Sequence, residues 1–129
     1  MPCTVLLADD SEILRRVIRR YLLDARADFE IMGETASVID VVRMVEEFHP
    51  QILLMDLHMV KARETAEKLK SVLKNSTLLL GMSFASDDEA RRLAEEIGAI
   101  SFIDKINLGY ELIPAIQKLL SHAAEITAE

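Results

Sequence analysis

Carboxylates stand directly after two short apolar runs of the sequence. Asp9 and Asp10 follow residues 3–8, and Asp56 follows residues 51–55. Each has an ordinary alternative role, because acids are common at helix N-termini and in turns. If the two runs belong to one parallel sheet, however, the three carboxylates meet at the edge formed by the strands' carboxyl ends. Clustered carboxylates repel one another, and Mg²⁺, which prefers hard oxygen ligands, relieves that repulsion.

Two further polar groups follow apolar runs later in the chain. Ser83 comes after residues 77–82, and Lys105 comes shortly after residues 100–103. Alone, the serine is an ordinary loop hydroxyl and the lysine an ordinary solvated charge. Aimed at the same point as the carboxylates, a hydroxyl and an ammonium would bind the oxygens of a phosphoryl group. The joint pattern predicts a site that holds Mg²⁺ and receives a phosphoryl group on one carboxylate.

The elements that would position these residues alternate along the chain. Apolar stretches predict five strands, at residues 3–8, 29–34, 51–55, 77–82 and 100–103. Amphipathic stretches predict five helices, at residues 11–25, 37–48, 62–74, 86–98 and 109–125. Strands that are apolar on both faces and alternate with helices indicate a doubly wound parallel sheet of the α/β class, covered by helices on both faces. We predict a single domain over residues 1–129.

Local signals mark several helix ends. Ser37 with Asp40, and Ser86 with Glu89, have the spacing of capping boxes at helix N-termini. Pro114 lies inside the last predicted helix and looks like a breaker. If that helix begins near Tyr110, the proline falls in the first turn, where its missing N–H would have no helical partner.

The composition excludes several classes of protein. The chain has 129 residues, of which 50% are hydrophobic, and this argues against disorder. A net charge of −7 argues against nucleic-acid binding by the domain itself, because phosphate binding needs clustered positive charge. The single cysteine, Cys3, cannot form an internal disulfide, and the chain shows neither a signal peptide nor a membrane-spanning run. We therefore expect a cytoplasmic protein with no membrane attachment.

The ordered set of polar residues resembles the response-regulator receiver domains of two-component signalling. These domains carry an acidic pair after the first strand, a phosphoacceptor aspartate after the third, a threonine or serine after the fourth and a lysine after the fifth. The resemblance covers essentially the whole chain, and the combination is specific although no single motif in it is. It implies a five-stranded, flavodoxin-like parallel sheet with the strand order 2-1-3-4-5.

The resemblance also implies which residues bind the metal and the phosphoryl group. Asp56 would be the phosphoacceptor, and its donor would be a sensor histidine kinase or a phosphotransfer protein. Asp9, Asp10 and Asp56 would hold Mg²⁺, with the backbone carbonyl of His58 as the last protein ligand.

Three more residues take roles from the same resemblance. Ser83 would donate a hydrogen bond to the phosphoryl group, and Lys105 would pair with it. Phe102, three residues before the lysine, would be the switch aromatic that turns inward when Ser83 moves toward the phosphoryl group. The alternative for Phe102 is an ordinary strand aromatic.

Three positions depart from the receiver pattern. Val60 replaces a frequent proline and no glycine follows, so either the strand-side part of this loop differs or the third helix starts early. Ile106 stands where receivers usually carry a cis proline. A cis bond before a non-proline residue costs roughly 3–4 kcal/mol, so we predict a trans bond, which could displace Lys105 or the fifth helix. Phe84 replaces a small residue, and its ring could narrow access to Asp56.

The first helix carries a cluster of four arginines, Arg15, Arg16, Arg19 and Arg20. This cluster is either a solvated face or a docking face for the kinase's helical phosphotransfer domain. Residues 28–59 most resemble receivers attached to helix-turn-helix output domains of the LuxR/NarL type, which regulate transcription. The chain contains no such output domain, and the sequence fits both a stand-alone receiver and a piece of a longer regulator. A homodimer is compatible with the sequence, although no residue selects one.

Two other classes compete with the leading interpretation of a phosphorylation-switched signalling module that is not an enzyme with an outside substrate. A phosphatase or phosphotransferase of the haloacid-dehalogenase type needs an Asp-x-Asp motif after the first strand, whereas Asp9 and Asp10 are adjacent and no cap-sized insertion is present. A degenerate receiver would keep the fold as a protein-interaction module without being phosphorylated. The departures at Val60, Phe84 and Ile106 motivate that second alternative.

Overall fold

Strands and helices alternate along the chain, as the apolar and amphipathic stretches predict. The computed structural model describes residues 2–25, 28–73, 77–84 and 88–128, and within them five strands alternate with five α-helices. The strands are β1 Cys3–Ala8, β2 Phe29–Thr35, β3 Ile52–Asp56, β4 Leu78–Ser83 and β5 Ser101–Asp104. The helices are α1 Glu12–Asp24, α2 Val38–Phe48, α3 Arg63–Leu73, α4 Asp88–Ile97 and α5 Leu108–Ala128.

The five strands form one parallel sheet in the order β2-β1-β3-β4-β5, which confirms the predicted architecture. Strand order reverses between β1 and β3, where an open sheet of this kind leaves a crevice at the strands' carboxyl ends. The register brings those ends together, because Ala8 pairs with Met55 and Ser83 pairs with Asp104. The residues that follow β1, β3, β4 and β5 therefore meet at one edge.

Two sheet faces bury two separate sets of apolar side chains. Alternate residues of each strand point to opposite faces, so Leu53 lies in one cluster and Leu54 lies in the other. The first core cluster packs under α2, α3 and α4, where Leu69 is fully buried. The second core cluster packs under α1 and α5, where Leu112 is fully buried. Burial on both faces explains why the central strands are continuously apolar.

The strand ends differ slightly from their predicted positions. Asp56 and Ser83 are the last residues of β3 and β4, not the first residues beyond them. Ser37 stands at the N-cap of α2, but its side chain makes no capping hydrogen bond, so the predicted capping box with Asp40 is wrong. The Ser37 backbone N–H instead donates to Thr35 Oγ1 at 3.0 Å. The other predicted box depends on Ser86, which lies outside the described residues.

Pro114 neither breaks its helix nor lies in the first turn, so both interpretations of this residue from the sequence are wrong. The helix α5 begins at Leu108, so the missing N–H of Pro114 leaves the carbonyl of Tyr110 without its helical partner. Pro114 and Tyr110 are both exposed, which keeps the proline on the solvated side of the helix. The buried side of α5, with Leu112 and Ile116, remains packed against the second core cluster.

The single cysteine, Cys3, is free and buried in the second core cluster. Burial raises the pKa of its thiol above the ordinary value. In the described part of the chain, no helix combines the length and apolar character that crossing a membrane requires.

Truncations in the two clusters should act independently. Leu69→Ala and Leu112→Ala should each lower the free energy of unfolding by about 2–5 kcal/mol, because each removes a fully buried side chain. In the double variant the losses should add to within about 0.5 kcal/mol, since the two side chains lie on opposite sides of the sheet. Urea denaturation measures all three values, and a larger departure from additivity would contradict two separate clusters.

Candidate functional site

A buried ion pair joins the ends of β1, β3 and β5. Lys105 Nζ lies 2.6 Å from Asp9 Oδ2 and 2.9 Å from Asp56 Oδ2. All three residues are buried, with exposures of 6%, 0% and 5% for the lysine, Asp9 and Asp56. Buried charges are tolerated when they are paired and hydrogen-bonded, and one ammonium here serves two carboxylates. The structure thus brings together three of the residues selected from the sequence.

Each of these carboxylates also binds the backbone two residues further along the chain. Asp9 Oδ1 accepts from the Ser11 N–H at 2.9 Å, and Asp56 Oδ1 accepts from the His58 N–H at 2.9 Å. This local turn is one that aspartate forms readily, and it fixes the orientation of the carboxyl group. In both Asp9 and Asp56, one carboxylate oxygen therefore accepts a backbone hydrogen bond, and the other lies beside the ammonium of Lys105.

The acidic cluster fits a divalent cation. Carboxylate oxygens of Asp9, Asp10 and Asp56 lie within 4.8 Å of one another, close to the roughly 4 Å that separates two oxygens on opposite sides of Mg²⁺. Three carboxylates and Lys105 leave a charge of −2. Within the described residues, Asp9 Oδ2 is fully buried and accepts no hydrogen bond of regular geometry, although the lysine ammonium lies beside it. Asp10 is exposed, so the cluster opens to solvent on that side.

The hydroxyl of Ser83 is bound to a histidine. Ser83 Oγ lies 2.9 Å from His58 Nε2 and 3.3 Å from the carbonyl oxygen of Phe84. Among the described residues, the hydroxyl makes no hydrogen bond with Asp56. The sequence predicted a backbone role for His58 but not this side-chain contact, because side-chain contacts across loops leave no periodic signal.

The predicted switch aromatic, Phe102, lies on β5 and is half-buried. Its ring packs against the first core cluster, and the Arg91 guanidinium carbon lies 5.1 Å from the ring centre. Such a distance allows a cation–π interaction between α4 and β5. The structure places Phe102 between a helix and the sheet, and its switching role stays a prediction.

The loops at Val60 and Ile106 use backbone groups that a proline lacks. The Val60 N–H donates to the Leu57 carbonyl at 3.1 Å and closes a 3₁₀ turn, Leu57–Met59. The Ile106 N–H donates to Asp104 Oδ1 at 3.0 Å. Within the described chain no peptide bond is cis, which confirms the trans prediction, and Lys105 still reaches the carboxylates. The third helix does not start early, since α3 begins at Arg63.

The side chain of Leu57 anchors the 3₁₀ turn that follows Asp56 against the sheet. Leu57 is buried and occupies the space beside Gly81 of β4, where an added Cβ would lie 2.9 Å from Leu57 Cδ1. This contact anchors the loop directly next to the predicted phosphoacceptor.

The ring of Phe84 lies beside the buried lysine. Its centre is 5.2 Å from Lys105 Nζ, within the range of a cation–π interaction, and the side chain is 52% exposed. The ring therefore lies beside the lysine that contacts Asp56, and its expected narrowing of the access to Asp56 stays a prediction.

The arginine cluster of α1 is largely neutralised by acids. Arg19 makes two hydrogen bonds to Glu34, at 2.7 and 2.8 Å. Arg15 lies 3.5 Å from the same glutamate and donates to the backbone carbonyl of Asp9, a contact that the sequence interpretation missed. Arg16 pairs with Glu12 on the helix surface, and its side chain is 68% exposed. Arg15 thus supports the end of β1 and Arg19 binds β2, whereas Arg16 and Arg20 stay exposed, at 68% and 77%, in pairs on the helix surface.

A doubly wound sheet whose strand-end carboxylates share one buried lysine has the architecture and the acidic site of a receiver. A family model for the response regulator receiver domain matches residues 5–117. The chain belongs to this family, and the sequence prediction of a two-component receiver domain is confirmed. Response regulators are generally signalling proteins and not enzymes with a turnover substrate.

Two curated relatives are similar over most of this chain. The response regulator protein VraR of Staphylococcus saprophyticus is 32% identical over 131 residues, covering 100% of this chain and 62% of VraR. The transcriptional regulatory protein LiaR of Bacillus subtilis is 31% identical over 115 residues, covering 88% of this chain and 54% of LiaR. The chain therefore spans less than two thirds of the length of either relative.

Solved structures share the fold. A two-component response regulator of the LuxR family from Aurantimonas superposes with a TM-score of 0.79 at 24% identity, covering 95% of this chain and 87% of the other. The receiver domain of the response regulator NarL from Mycobacterium tuberculosis has a TM-score of 0.78 at 20% identity, covering 92% of this chain and 95% of the other.

Loss of the bridging ammonium should destabilise the protein. Lys105→Met should lower the free energy of unfolding by about 3–5 kcal/mol without metal, because it leaves two buried carboxylates side by side. Added Mg²⁺ should recover part of the loss. Lys118→Met, which removes an exposed lysine from α5, serves as the control and should cost less than about 0.5 kcal/mol. Urea denaturation measures the free energy of unfolding of each variant. Equal losses in Lys105→Met and Lys118→Met would show that the bridging ammonium does not stabilise the protein.

Proposed function

We propose that this receiver domain accepts a phosphoryl group on Asp56 from a histidine kinase or a phosphotransfer protein, and that the modification switches a signalling output. The single observation that carries the proposal is the position of Asp56. Its carboxylate contacts a buried ammonium, Lys105, and belongs to a cluster of acids suited to Mg²⁺. A carboxylate in such surroundings can become phosphorylated because the ammonium and a bound cation would balance the charges of the incoming phosphoryl oxygens.

The transfer forms one bond and breaks one bond. An oxygen of Asp56 attacks the phosphorus atom while the bond between phosphorus and the donor breaks, and the donor leaves with that bond's electron pair. With phosphohistidine the leaving atom is a ring nitrogen, and with a small acyl phosphate it is a carboxylate oxygen. The backbone N–H of His58 holds Asp56 Oδ1 at 2.9 Å, so the carboxylate keeps its orientation during the attack.

Asp9, Asp10 and Asp56, together with the backbone carbonyl of His58, would hold Mg²⁺. The bound ion would supply positive charge to the phosphoryl oxygens. Lys105 would supply further positive charge by exchanging its contact with Asp56 Oδ2 for one with a phosphoryl oxygen, while it keeps Asp9 as a partner. The lysine then needs only a small movement, because its ammonium already lies beside the accepting carboxylate.

Ser83 and Phe102 would relay the modification to the surface. Ser83 would leave its present partners and donate to a phosphoryl oxygen, and Phe102 would turn into the space that this movement opens. Phe102 lies between β5 and Arg91 of α4, so its rotation would alter the surface at that helix. Such a surface is suited to communicate with an output domain or a partner.

The proposal extends to the setting in which the domain works. We place it in the cytoplasm, as a switch that assists its own phosphorylation and hydrolysis and has no outside turnover substrate. The names of the relatives, a response regulator and a transcriptional regulatory protein, support an output in transcription. Residues 1–129 would act as one receiver domain.

A second candidate is a degenerate receiver that binds partners without being phosphorylated. The observation that favours it is Phe84, whose ring lies 5.2 Å from Lys105 Nζ and would restrict the approach to Asp56. The intact ion pair of Lys105 with Asp9 and Asp56 favours the phosphorylated switch over this alternative.

Phosphorylation of Asp56 can be measured directly. Incubation with Mg²⁺ and acetyl phosphate should add one phosphoryl group to the intact mass, because the carboxylate lies beside its lysine and the acidic cluster. Asp56→Asn should abolish the gain, and so should removal of Mg²⁺ with a chelator. Asp104→Asn, at an acid that caps the next loop, is the matched control and should still gain the group.

The two candidates predict opposite results. A mass gain that depends on Asp56 and Mg²⁺ supports the phosphorylated switch. The degenerate receiver is supported instead if the protein gains no adduct, shows no spectral response to the phosphoryl mimic beryllofluoride and binds no Mg²⁺. Phe84→Ala completes the test, since phosphorylation that occurs only in this variant would identify the ring as the cause of degeneracy.

Docking of the kinase at the arginine cluster of α1 has its own test. Arg16→Glu should slow phosphotransfer from a histidine kinase that phosphorylates the wild type, on the order of 10-fold at low salt, because charge reversal at an interface reduces association. The rate with acetyl phosphate should not change. Arg43→Glu, at an exposed and similarly paired arginine of α2, is the control. Equal kinase rates for Arg16→Glu and the wild type would exclude the docking role.

A further inference from the structure

The Ser83 hydroxyl, which would bind a phosphoryl group on Asp56, is held by the His58 side chain in this structure. Ser83 Oγ lies 2.9 Å from His58 Nε2, and Ser83 is fully buried. The two oxygens of Asp56 are engaged by the His58 N–H and by Lys105 Nζ. The hydroxyl therefore has to leave the imidazole before it can bind a group on Asp56.

Both partners of this hydrogen bond are fixed by the surrounding backbone. His58 belongs to the 3₁₀ turn that Asp56 caps and that Leu57 anchors beside Gly81. Ser83 is the last residue of β4 and pairs with Asp104 of β5. These contacts hold both backbones, so rotation about the side-chain torsion of Ser83 is the simplest movement that would turn the hydroxyl toward Asp56. A hydrogen bond to the imidazole selects one value of that torsion.

The bond competes with phosphoryl binding whichever way its proton points. A serine hydroxyl has one proton, and an imidazole nitrogen either accepts it or donates its own. If the hydroxyl donates to His58, the proton required by a phosphoryl oxygen is already in use. If it accepts from the imidazole and donates to the Phe84 carbonyl, the oxygen must still rotate away from the ring.

We infer that the His58 side chain is a positioning residue that holds Ser83 in its resting orientation and so sets how readily the switch responds to a group on Asp56. This inference rests on the proposed function. The role is separate from that of the His58 backbone, whose N–H binds Asp56 and whose carbonyl would face the metal. A substitution of the side chain leaves both backbone groups in place.

The inference predicts coupling between His58 and Ser83. His58→Phe keeps a ring of similar size but removes the nitrogen that binds the hydroxyl, so Ser83 becomes free to turn. Binding of beryllofluoride in the presence of Mg²⁺ should then tighten by about 2- to 10-fold, the range expected for the loss of one competing neutral hydrogen bond. His58→Gln retains a donor and an acceptor and should restore much of the wild-type affinity.

A double-mutant cycle isolates this effect from any general change in the site. Beryllofluoride dissociation constants are measured for the wild type, His58→Phe, Ser83→Ala and the double variant. His58→Phe should tighten binding when Ser83 is present and should change it by less than about 2-fold when Ser83 is replaced by alanine. Equal effects of His58→Phe in the two backgrounds, or no effect in either, would overturn the inference.

The resting hydrogen bond has a signature of its own. The ¹⁵N shift of His58 Nε2, measured without ligand, should change in Ser83→Ala, and a similar change should follow beryllofluoride binding to the wild type. An unchanged shift in Ser83→Ala would show that the resting bond is absent and would overturn the inference. If the wild type takes up no beryllofluoride, the proposed function fails and the switching role of His58 fails with it, whereas the shift still reports the resting bond.

Discussion

The ammonium of Lys105 between the carboxylates of Asp9 and Asp56 is the interaction on which the site depends. Two buried carboxylates at 0% and 5% exposure would repel each other strongly if no cation stood between them. The lysine can stand there only because β1, β3 and β5 end at the same edge of the sheet. The apolar packing on both faces of the sheet is therefore what makes this arrangement of charges possible.

The strand-end aspartates divide their two oxygens between structure and chemistry. In Asp9 and Asp56, one oxygen binds the N–H two residues further on, and the other faces Lys105. From the sequence, each of these aspartates could either stabilise a turn or take part in the site. In the structure, one side chain does both. Asp10 differs, because it is exposed and can contribute to the metal site without first leaving a buried pair.

The fold follows from the sequence because apolar alternation and strand burial are properties of whole segments. Strand ends are predicted to within about one residue, and this suffices to bring Asp9, Asp56 and Lys105 to one edge. Individual side-chain hydrogen bonds are not predictable in this way. Ser37 does not make its predicted capping bond, and Ser83 binds His58. Such contacts depend on neighbours that are distant in sequence, so no local pattern carries them.

The two departures from the family's proline pattern have a common physical explanation. The N–H groups of Val60 and Ile106 both make hydrogen bonds that a proline would lose. Each bond belongs to a 3₁₀ turn capped by the carboxylate that precedes it, Asp56 in the first loop and Asp104 in the second.

A proline stiffens a loop through its own ring, whereas here the carboxylates stiffen the loops through hydrogen bonds. In the first loop the capping carboxylate is also the proposed phosphoacceptor. A group attached to Asp56 would therefore act directly on the turn that carries His58, and through the imidazole on Ser83. The His58 N–H thus links the accepting carboxylate to the loop, and the Val60 N–H, which a proline would lack, closes the same turn on the Leu57 carbonyl.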